Sequence, residues 1–159
     1  MAKGSKFKPE GYGTVTPSIV VKNGAEAIDF YTKAFNAEEV SRFEMPGGKV
    51  MHAEINVGGS RVMLGEENAQ SGCVAPASLS GSPSSLYVYV ENADAAFDRA
   101  VQAGAKSEMP VEDMFWGDRA GCVKDPSGHR WMLATHKQDL SPDQIKRGAE
   151  EFFKKHGKH

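Results

Sequence analysis

Two ionisable side chains stand where they could do acid–base chemistry. His52 and Glu54 lie two residues apart in a run of alternating apolar and polar residues from 51 to 56. Because side chains alternate between the two faces of a β-strand, both would point to the same side. The expected arrangement is an ion pair between Glu54 and Arg61 with a hydrogen-bonded His52, since two potential ligands without a third do not make a metal site. The alternative is that the pair exchanges a proton with a bound substrate, which makes His52 and Glu54 the candidate catalytic residues.

The elements that would position these side chains occur twice in the sequence. Shifted by 69 residues, segment 16–64 aligns with segment 85–133 without a gap, and 12 of the 49 aligned pairs are identical. Chance would give about three identities. Each half begins with a β-rich run, continues with an amphipathic helix that Asn23 or Asn92 would cap, and ends in a turn and a short strand. The pattern predicts an internal repeat of two βαβββ units.

This repeat predicts an α+β fold in which paired βαβββ modules form a curved, cup-like sheet. One unit cannot bury both faces of its sheet, whereas two units cover each other and leave a cleft between them. The connection between the units is long enough to be a functional loop or a flexible linker. We expect three parts: an N-terminal arm (1–13), a single domain (14–136) and a C-terminal tail with a helix (137–159). The domain itself consists of module one (14–65), a linker (66–83) and module two (84–136).

Composition narrows the classes of partner. A net charge of −2 and a pI near 6.2 provide no basic field for nucleic acid. No apolar run approaches the length of a membrane span, and the N-terminus lacks the apolar core of a signal peptide. The two cysteines, Cys73 and Cys122, are far apart and in no metal-ligand spacing. We therefore expect a cytoplasmic protein with reduced thiols and with neither nucleic acid nor a membrane as partner.

Several motifs carry a family resemblance. They are Ala27–Tyr31 followed by Ala34 and Phe35, Met51–Glu54, Asp113–Arg119 and Asp125–Trp131. Together they resemble the vicinal oxygen chelate superfamily, which holds glyoxalase I, the bleomycin- and fosfomycin-resistance proteins and the extradiol dioxygenases. The resemblance is greatest to the PhnB-like branch and runs from about Pro9 to Phe153. It implies the glyoxalase/bleomycin-resistance fold, usually as a homodimer, with a small molecule in the cup.

The resemblance also implies a divalent metal held at four positions of the cup. By alignment these positions read Thr16, Met63, Ser85 and Met132. Thioethers suit soft metals and neutral hydroxyls bind weakly, whereas zinc, nickel, manganese or iron needs three or four suitable donors. The sequence therefore predicts no metal at the usual positions and no cofactor.

Strand alternation and loop positions predict which residues contact a ligand. Two tyrosines would project from one strand into the cup, and aromatic faces with polar tips suit flat or amphipathic ligands. Arginines near the cleft would recognise anionic or carbonyl groups, and methionines would form an adaptable floor. For each ring, filling the core is the alternative, and for each arginine an ordinary ion pair. The expected set is Arg61, Met63, Tyr87, Tyr89, Phe115, Trp116, Arg119, Arg130 and Met132.

These observations predict a small-molecule-binding protein of the glyoxalase/bleomycin-resistance type that lacks the usual metal site. The alternative is a glyoxalase-like lyase, isomerase or transferase. Such an enzyme would use a displaced divalent metal or the His52/Glu54 pair as acid and base.

Overall fold

The computed structural model describes residues 6–157, so the ends of the predicted arm (1–5) and tail (158–159) lie outside the described residues. The described chain forms two modules with the same order of elements, followed by a third helix. Module one contains β1 (Ser18–Val21), α1 (Gly24–Phe35), β2 (Glu38–Glu44), β3 (Val50–Val57) and β4 (Ser60–Glu66). Module two contains β5 (Ser85–Tyr89), α2 (Ala93–Gln102), β6 (Lys106–Asp113), β7 (Asp118–Lys124) and β8 (Arg130–His136), and α3 (Pro142–His156) follows it.

Each module folds into its own four-stranded mixed sheet. The strand orders are β1-β4-β3-β2 and β5-β8-β7-β6, with the first and last strand of each module parallel. The helices α1 and α2 pack on one face of the sheets and against each other, and the opposite face, which neither of them covers, is here called the open face. The α+β fold with paired βαβββ modules, predicted from the sequence, is confirmed.

The helices begin where the sequence predicts caps. The side chains of Asn23 and Asn92 each accept a hydrogen bond of 3.0 Å, from the N–H groups of Glu26 and Ala95. Ser141 and Gln144 form the reciprocal capping box that opens α3. Among the described residues, no helix is long and apolar enough to cross a membrane.

Alternating residues of the strands fill the core beneath the helices. Ala53, Ile55 and Val57 are buried, as strand alternation predicts for β3. The alternation of residues 51–56 predicts Met51 on the same side as Ala53, but Met51 is 63% exposed, whereas Val50 is fully buried. The reason is a shift in the β2–β3 register between Phe43 and Glu44, which turns Val50 toward α1.

A buried carboxylate and three aromatic rings join the modules. Asp125 lies in the turn between β7 and β8, and its Oδ2 accepts hydrogen bonds from the Tyr31 hydroxyl (2.6 Å) and the Trp131 indole N–H (2.9 Å). Its Oδ1 accepts from the backbone N–H groups of Ser127 and His129, both at 2.9 Å. The rings of Tyr31 and Phe35 pack on Trp131, with centroids 5.3 and 4.6 Å apart. The two modules therefore share one core.

The connection between β4 and β5 is fastened to the body. It contains two short 3-10 helices, Ala69–Ser71 and Pro76–Ser78. Glu67 accepts hydrogen bonds from Lys22 Nζ (2.5 Å), the Ser78 hydroxyl (2.9 Å) and the Ala75 N–H (3.2 Å). These bonds, the one from Lys22 foremost, lower the pKa of Glu67 to about 2. The beginning of the connection is thus tied to Lys22, next to β1, and to its own residues 75–78.

Replacing Asp125 tests the junction between the modules. Asp125→Ala leaves four buried donors without an acceptor, and we expect the free energy of unfolding to fall by about 4 kcal/mol, measured by urea denaturation. Tyr31→Phe is the matched control, because it keeps the ring packing and removes one hydrogen bond, for a loss of about 1–2 kcal/mol. Equal losses in the two variants would show that the carboxylate does not hold the modules together.

Candidate functional site

An open cavity of about 940 Å³ lies between β1 and β5, the edge strands of the two sheets. Both modules line it, together with the segment that precedes β1. Ligand sites commonly form in concave regions between structural units, with a few polar groups that fix orientation. This junction is therefore the candidate ligand site. Its polar and aromatic lining includes Tyr12, Ser18, Arg61, Ser85, Tyr87 and Tyr89.

One buried carboxylate organises the module-two side of the site. Asp118, the first residue of β7, is 3% exposed. Its Oδ2 accepts hydrogen bonds from the hydroxyls of Tyr87 (2.9 Å) and Tyr89 (3.0 Å) and from the Trp116 indole N–H (3.2 Å). Its Oδ1 pairs with Nδ1 of His136 at 2.8 Å. We call these five residues the Asp118 cluster.

The protonation states of the Asp118 cluster follow from these contacts. Burial opposes ionisation of Asp118, but the hydrogen bonds, led by that of His136, outweigh it and lower the pKa of the carboxyl. Hydrogen bonds to Asp118 and then to Asp139 raise the pKa of His136. Burial is the first cause that raises the pKa of Tyr87 to about 12, so the phenol stays protonated and donates its hydrogen bond. The two tyrosine rings, with centroids 5.3 Å apart, are held in place by one acceptor.

Apolar side chains continue the site across the open face of module two. Met132 lies directly opposite Tyr87 in the β5–β8 pairing. Met109, Trp116 and Met132 pack against a small cluster of buried residues, Met114, Ala120 and Ala134. This surface gives a ligand soft, adaptable contacts next to the tyrosine rings.

A second polar cluster lies on the open face of module one. The hydroxyl of Tyr12 donates a hydrogen bond to Glu54, and Nε2 of His52 lies 3.2 Å from the same carboxylate. The Arg61 guanidinium lies over the Tyr12 ring, 5.8 Å from its centroid, which is cation–π distance. The expected ion pair between Glu54 and Arg61 does not form within 4.0 Å; Tyr12, from the predicted N-terminal arm, takes its place beside Glu54.

The structure brings part of the predicted ligand set together. Arg61, Tyr87 and Tyr89 line the cavity, and Trp116 joins them through Asp118. Met63 and Met132 occupy equivalent positions on β4 and β8, next to β1 and β5. His52 and Glu54 lie further out on β3, in the second cluster.

Three predicted residues lie elsewhere. Phe115 packs under α3, with its ring 5.7 Å from that of Phe152, because α3 brings an apolar stripe onto this turn. Arg119 projects to the helix-covered side and pairs with Asp94 at 2.7 Å and Asp113 at 3.2 Å. Arg130 is on the open face but pairs with Glu108 at 2.6 Å and lines a different cavity. These placements correct the expectation that all three lie at the main cleft.

The sequence-based set omits three residues that the structure places in the site: Tyr12, Asp118 and His136. Strand alternation could have found His136, since it lies two residues beyond Ala134 on the same face of β8. Asp118 shares a face with Ala120 by the same rule. Nothing in the sequence around Tyr12 points to Glu54, which is 42 residues away.

The four positions at which the resemblance places metal ligands do not suit a hard or borderline divalent ion. Thr16 donates its hydroxyl to the Gly13 carbonyl at 3.3 Å, and Ser85 offers a neutral hydroxyl. Met63 and Met132 offer thioethers, which soft metals prefer. Within residues 6–157 no group of three or more His, Cys, Asp or Glu side chains is arranged to hold a metal ion. The donor set therefore does not fit the superfamily metal.

Comparisons with known proteins agree with this fold. A profile of the Glyoxalase/Bleomycin resistance protein/Dioxygenase superfamily matches residues 13–133, and the chain belongs to this superfamily. An uncharacterised protein of Mycobacterium bovis is 41% identical over 134 residues, which cover 82% of this chain and 88% of that protein.

Solved structures show the same architecture. TioX from Micromonospora sp. ML1 has a TM-score of 0.60 at 23% identity, over 81% of this chain and 100% of that one. The fosfomycin resistance protein FosX from Listeria monocytogenes also has a TM-score of 0.60, at 15% identity, over 84% of this chain and 97% of that one. Another structure of FosX contains Mn(II).

The pairing of His136 with Asp118 predicts a pH-dependent contribution to stability. Because the folded-state pKa of His136 is raised above 6.5, its contribution is complete below 6.5 and is lost as pH rises through the raised value. We expect His136→Gln to lower the melting temperature more at about pH 6 than at about pH 9. Asp118→Asn should lower the pKa of His136 in an NMR titration, and Asp139→Asn should lower it less. An unchanged His136 pKa in Asp118→Asn would contradict the assigned pairing.

Proposed function

We propose that the protein binds a small, partly aromatic molecule in the cavity between β1 and β5, without the usual superfamily metal. The observation that carries this proposal is the Asp118 cluster, in which one buried carboxylate fixes two tyrosine rings at the cavity wall. Rings held before binding lose little conformational freedom when a ligand arrives, so more of the contact energy appears as affinity. Offset or edge-to-face aromatic contacts would supply that energy.

The metal positions support a binder that works without the metal. FosX has been crystallised with Mn(II), whereas the aligned positions of this chain offer two hydroxyls and two thioethers. Reactions that depend on a divalent metal at those positions therefore lack their ligands here. Binding by aromatic, apolar and hydrogen-bonding contacts needs no metal ligands.

The alternative function, an acid–base enzyme, is supported less well. A general base works best with a pKa near the operating pH. The hydrogen bond from Tyr12, followed by that of His52, lowers the pKa of Glu54 and makes it a weaker base. Neither His52 nor Glu54 lines the cavity between β1 and β5.

The proposal also covers the branch of the superfamily, the oligomeric state and the cellular compartment of the protein. The PhnB-like motifs named above support that branch of the superfamily. Three exposed apolar side chains of module one, Phe43, Met45 and Met51, support a homodimer, because exposed apolar patches often mark protein interfaces. Cys73 and Cys122 are both free, which supports the cytoplasm as the compartment.

A ligand screen with tyrosine variants tests the binding proposal. We expect planar aromatic compounds to raise the melting temperature, and Tyr87→Ala or Tyr89→Ala to weaken their binding by about tenfold, from the loss of one aromatic contact. Tyr87→Phe separates the ring from its hydroxyl. Phe7→Ala is the control, because Phe7 is 96% exposed and does not line the cavity. Equal affinities in Tyr87→Ala, Tyr89→Ala and the wild type would show that the tyrosines are not a ligand platform.

Chelation tests the claim that no metal is needed. We expect a ligand found in the screen to bind with the same affinity before and after treatment with a chelator, since the cup positions lack suitable donors. Isothermal titration calorimetry measures the affinity, and elemental analysis measures the metal content of the purified protein. Loss of ligand binding on chelation, restored by one divalent ion, would favour the metal-dependent alternative.

A further inference from the structure

Three cationic side chains stand side by side across three strands of module two. Lys106 lies directly opposite Lys124 in the β6–β7 pairing, and Lys124 lies directly opposite Arg130 in the β7–β8 pairing. Directly opposed residues project from the same face, and the neighbouring Val123 is buried under the helices, so the three cations share the open face. We call them the cation row. Like charges directly opposite one another destabilise a sheet unless a carboxylate or another anion compensates them.

One carboxylate neutralises only part of the cation row. Glu108 pairs with Lys124 Nζ at 2.7 Å and with Arg130 Nε at 2.6 Å. In the described part of the chain no carboxylate lies within 4.0 Å of Lys106 Nζ, and the terminal amino groups of Arg130 donate to no oxygen. Three cations and Glu108 leave an excess of two positive charges along the row, or of one when the neighbouring buried Asp125 carboxylate is counted, together with several free N–H donors.

The cation row faces a cavity of its own. This cavity has a volume of about 570 Å³ and lies between the row and residues 76–82 of the connection. The Ala77 N–H donates a hydrogen bond to the Ser127 carbonyl at 2.8 Å. Gly128 lies so close to the connection that a Cβ atom added to it would be 2.6 Å from the Ala77 nitrogen. The connection is therefore held close to the turn between β7 and β8, and the wall opposite the row is fixed. Ser80 and Ser82 line this wall.

We propose that this second cavity is a binding site for a phosphate group, either inorganic phosphate or the phosphate of a small metabolite. The free amino groups of Arg130 can bind two oxygens of one anion, and the two lysines act as point charges beside it. Glu108 holds Lys124 and Arg130 in the absence of phosphate and competes with it when it binds. The site is separate from the cavity between β1 and β5 and does not depend on the ligand proposed there.

Titration with phosphate at constant ionic strength tests the site. We expect saturable shifts of the backbone amide resonances around Lys106, Lys124 and Arg130, and roughly tenfold weaker binding in Lys106→Gln, since one charge-assisted contact is lost. Lys106→Gln removes no ion pair, so this variant should melt at or above the wild-type temperature. Lys154→Gln, on α3, removes the same charge outside the cavity and should bind phosphate as the wild type does.

A second variant tests the competition with Glu108. Glu108→Gln removes the resident carboxylate, so phosphate should bind it several-fold more tightly and raise its melting temperature more than that of the wild type. The proposal is overturned if Lys106→Gln binds phosphate as the wild type does, if chloride produces the same shifts, or if Glu108→Gln binds phosphate more weakly. A small alkyl phosphate ester distinguishes the sources: tighter binding than inorganic phosphate supports a metabolite, and weaker binding supports the free ion.

Discussion

The hydrogen bonds to Asp125 fix the distance between the two modules, and the main cavity depends on that distance. The same turn also contacts module one at the end of β1: a ring nitrogen of His129 lies 2.7 Å from the Val20 carbonyl, and the Ser127 hydroxyl accepts from the N–H of Lys22, the residue after β1, at 3.0 Å. β1 is the edge strand that faces β5 across the cavity. Because a buried carboxylate stripped of its partners is costly, the arrangement that satisfies Asp125 also sets the width of the cavity.

Asp118 is also a buried carboxylate with several hydrogen-bond donors around it, but its partners are of a different kind. Asp118 is the first residue of β7 and Asp125 is the residue after its end; both are buried, and each accepts four hydrogen bonds. The partners of Asp125 are core side chains and backbone N–H groups, so its hydrogen bonds stabilise the folded structure. The partners of Asp118 include Tyr87 and Tyr89, residues that are 43% and 62% exposed. A fixed side chain that remains exposed is preorganised for contact with another molecule.

The sequence predicts those features that depend on local pattern. Helix caps at Asn23 and Asn92 need only a short polar side chain before an apolar run. Strand alternation predicts the buried side of β4 and β8 because a sheet with one covered face fixes its own register. It fails at Met51, where a register shift that leaves no mark in the sequence changes the side. Local sequence pattern also cannot predict the Asp118 cluster, since Tyr87 lies 31 residues before Asp118 and His136 lies 18 residues after it.

The two modules share a topology but not a chemistry. Glu54 lies opposite Met63, as Cys122 lies opposite the equivalent Met132, so the positions of His52 and Glu54 correspond in module two to Ala120 and Cys122. Those of Tyr87 and Tyr89 correspond in module one to Ser18 and Val20. One wall of the cavity therefore offers two fixed phenol rings, while the other offers Arg61 and the Tyr12 ring beneath it. A symmetric ligand would match the chemistry of only one of these walls. If the protein binds a ligand as proposed, an unsymmetric molecule with a flat apolar part against module two and an acceptor group directed at Arg61 would match both walls.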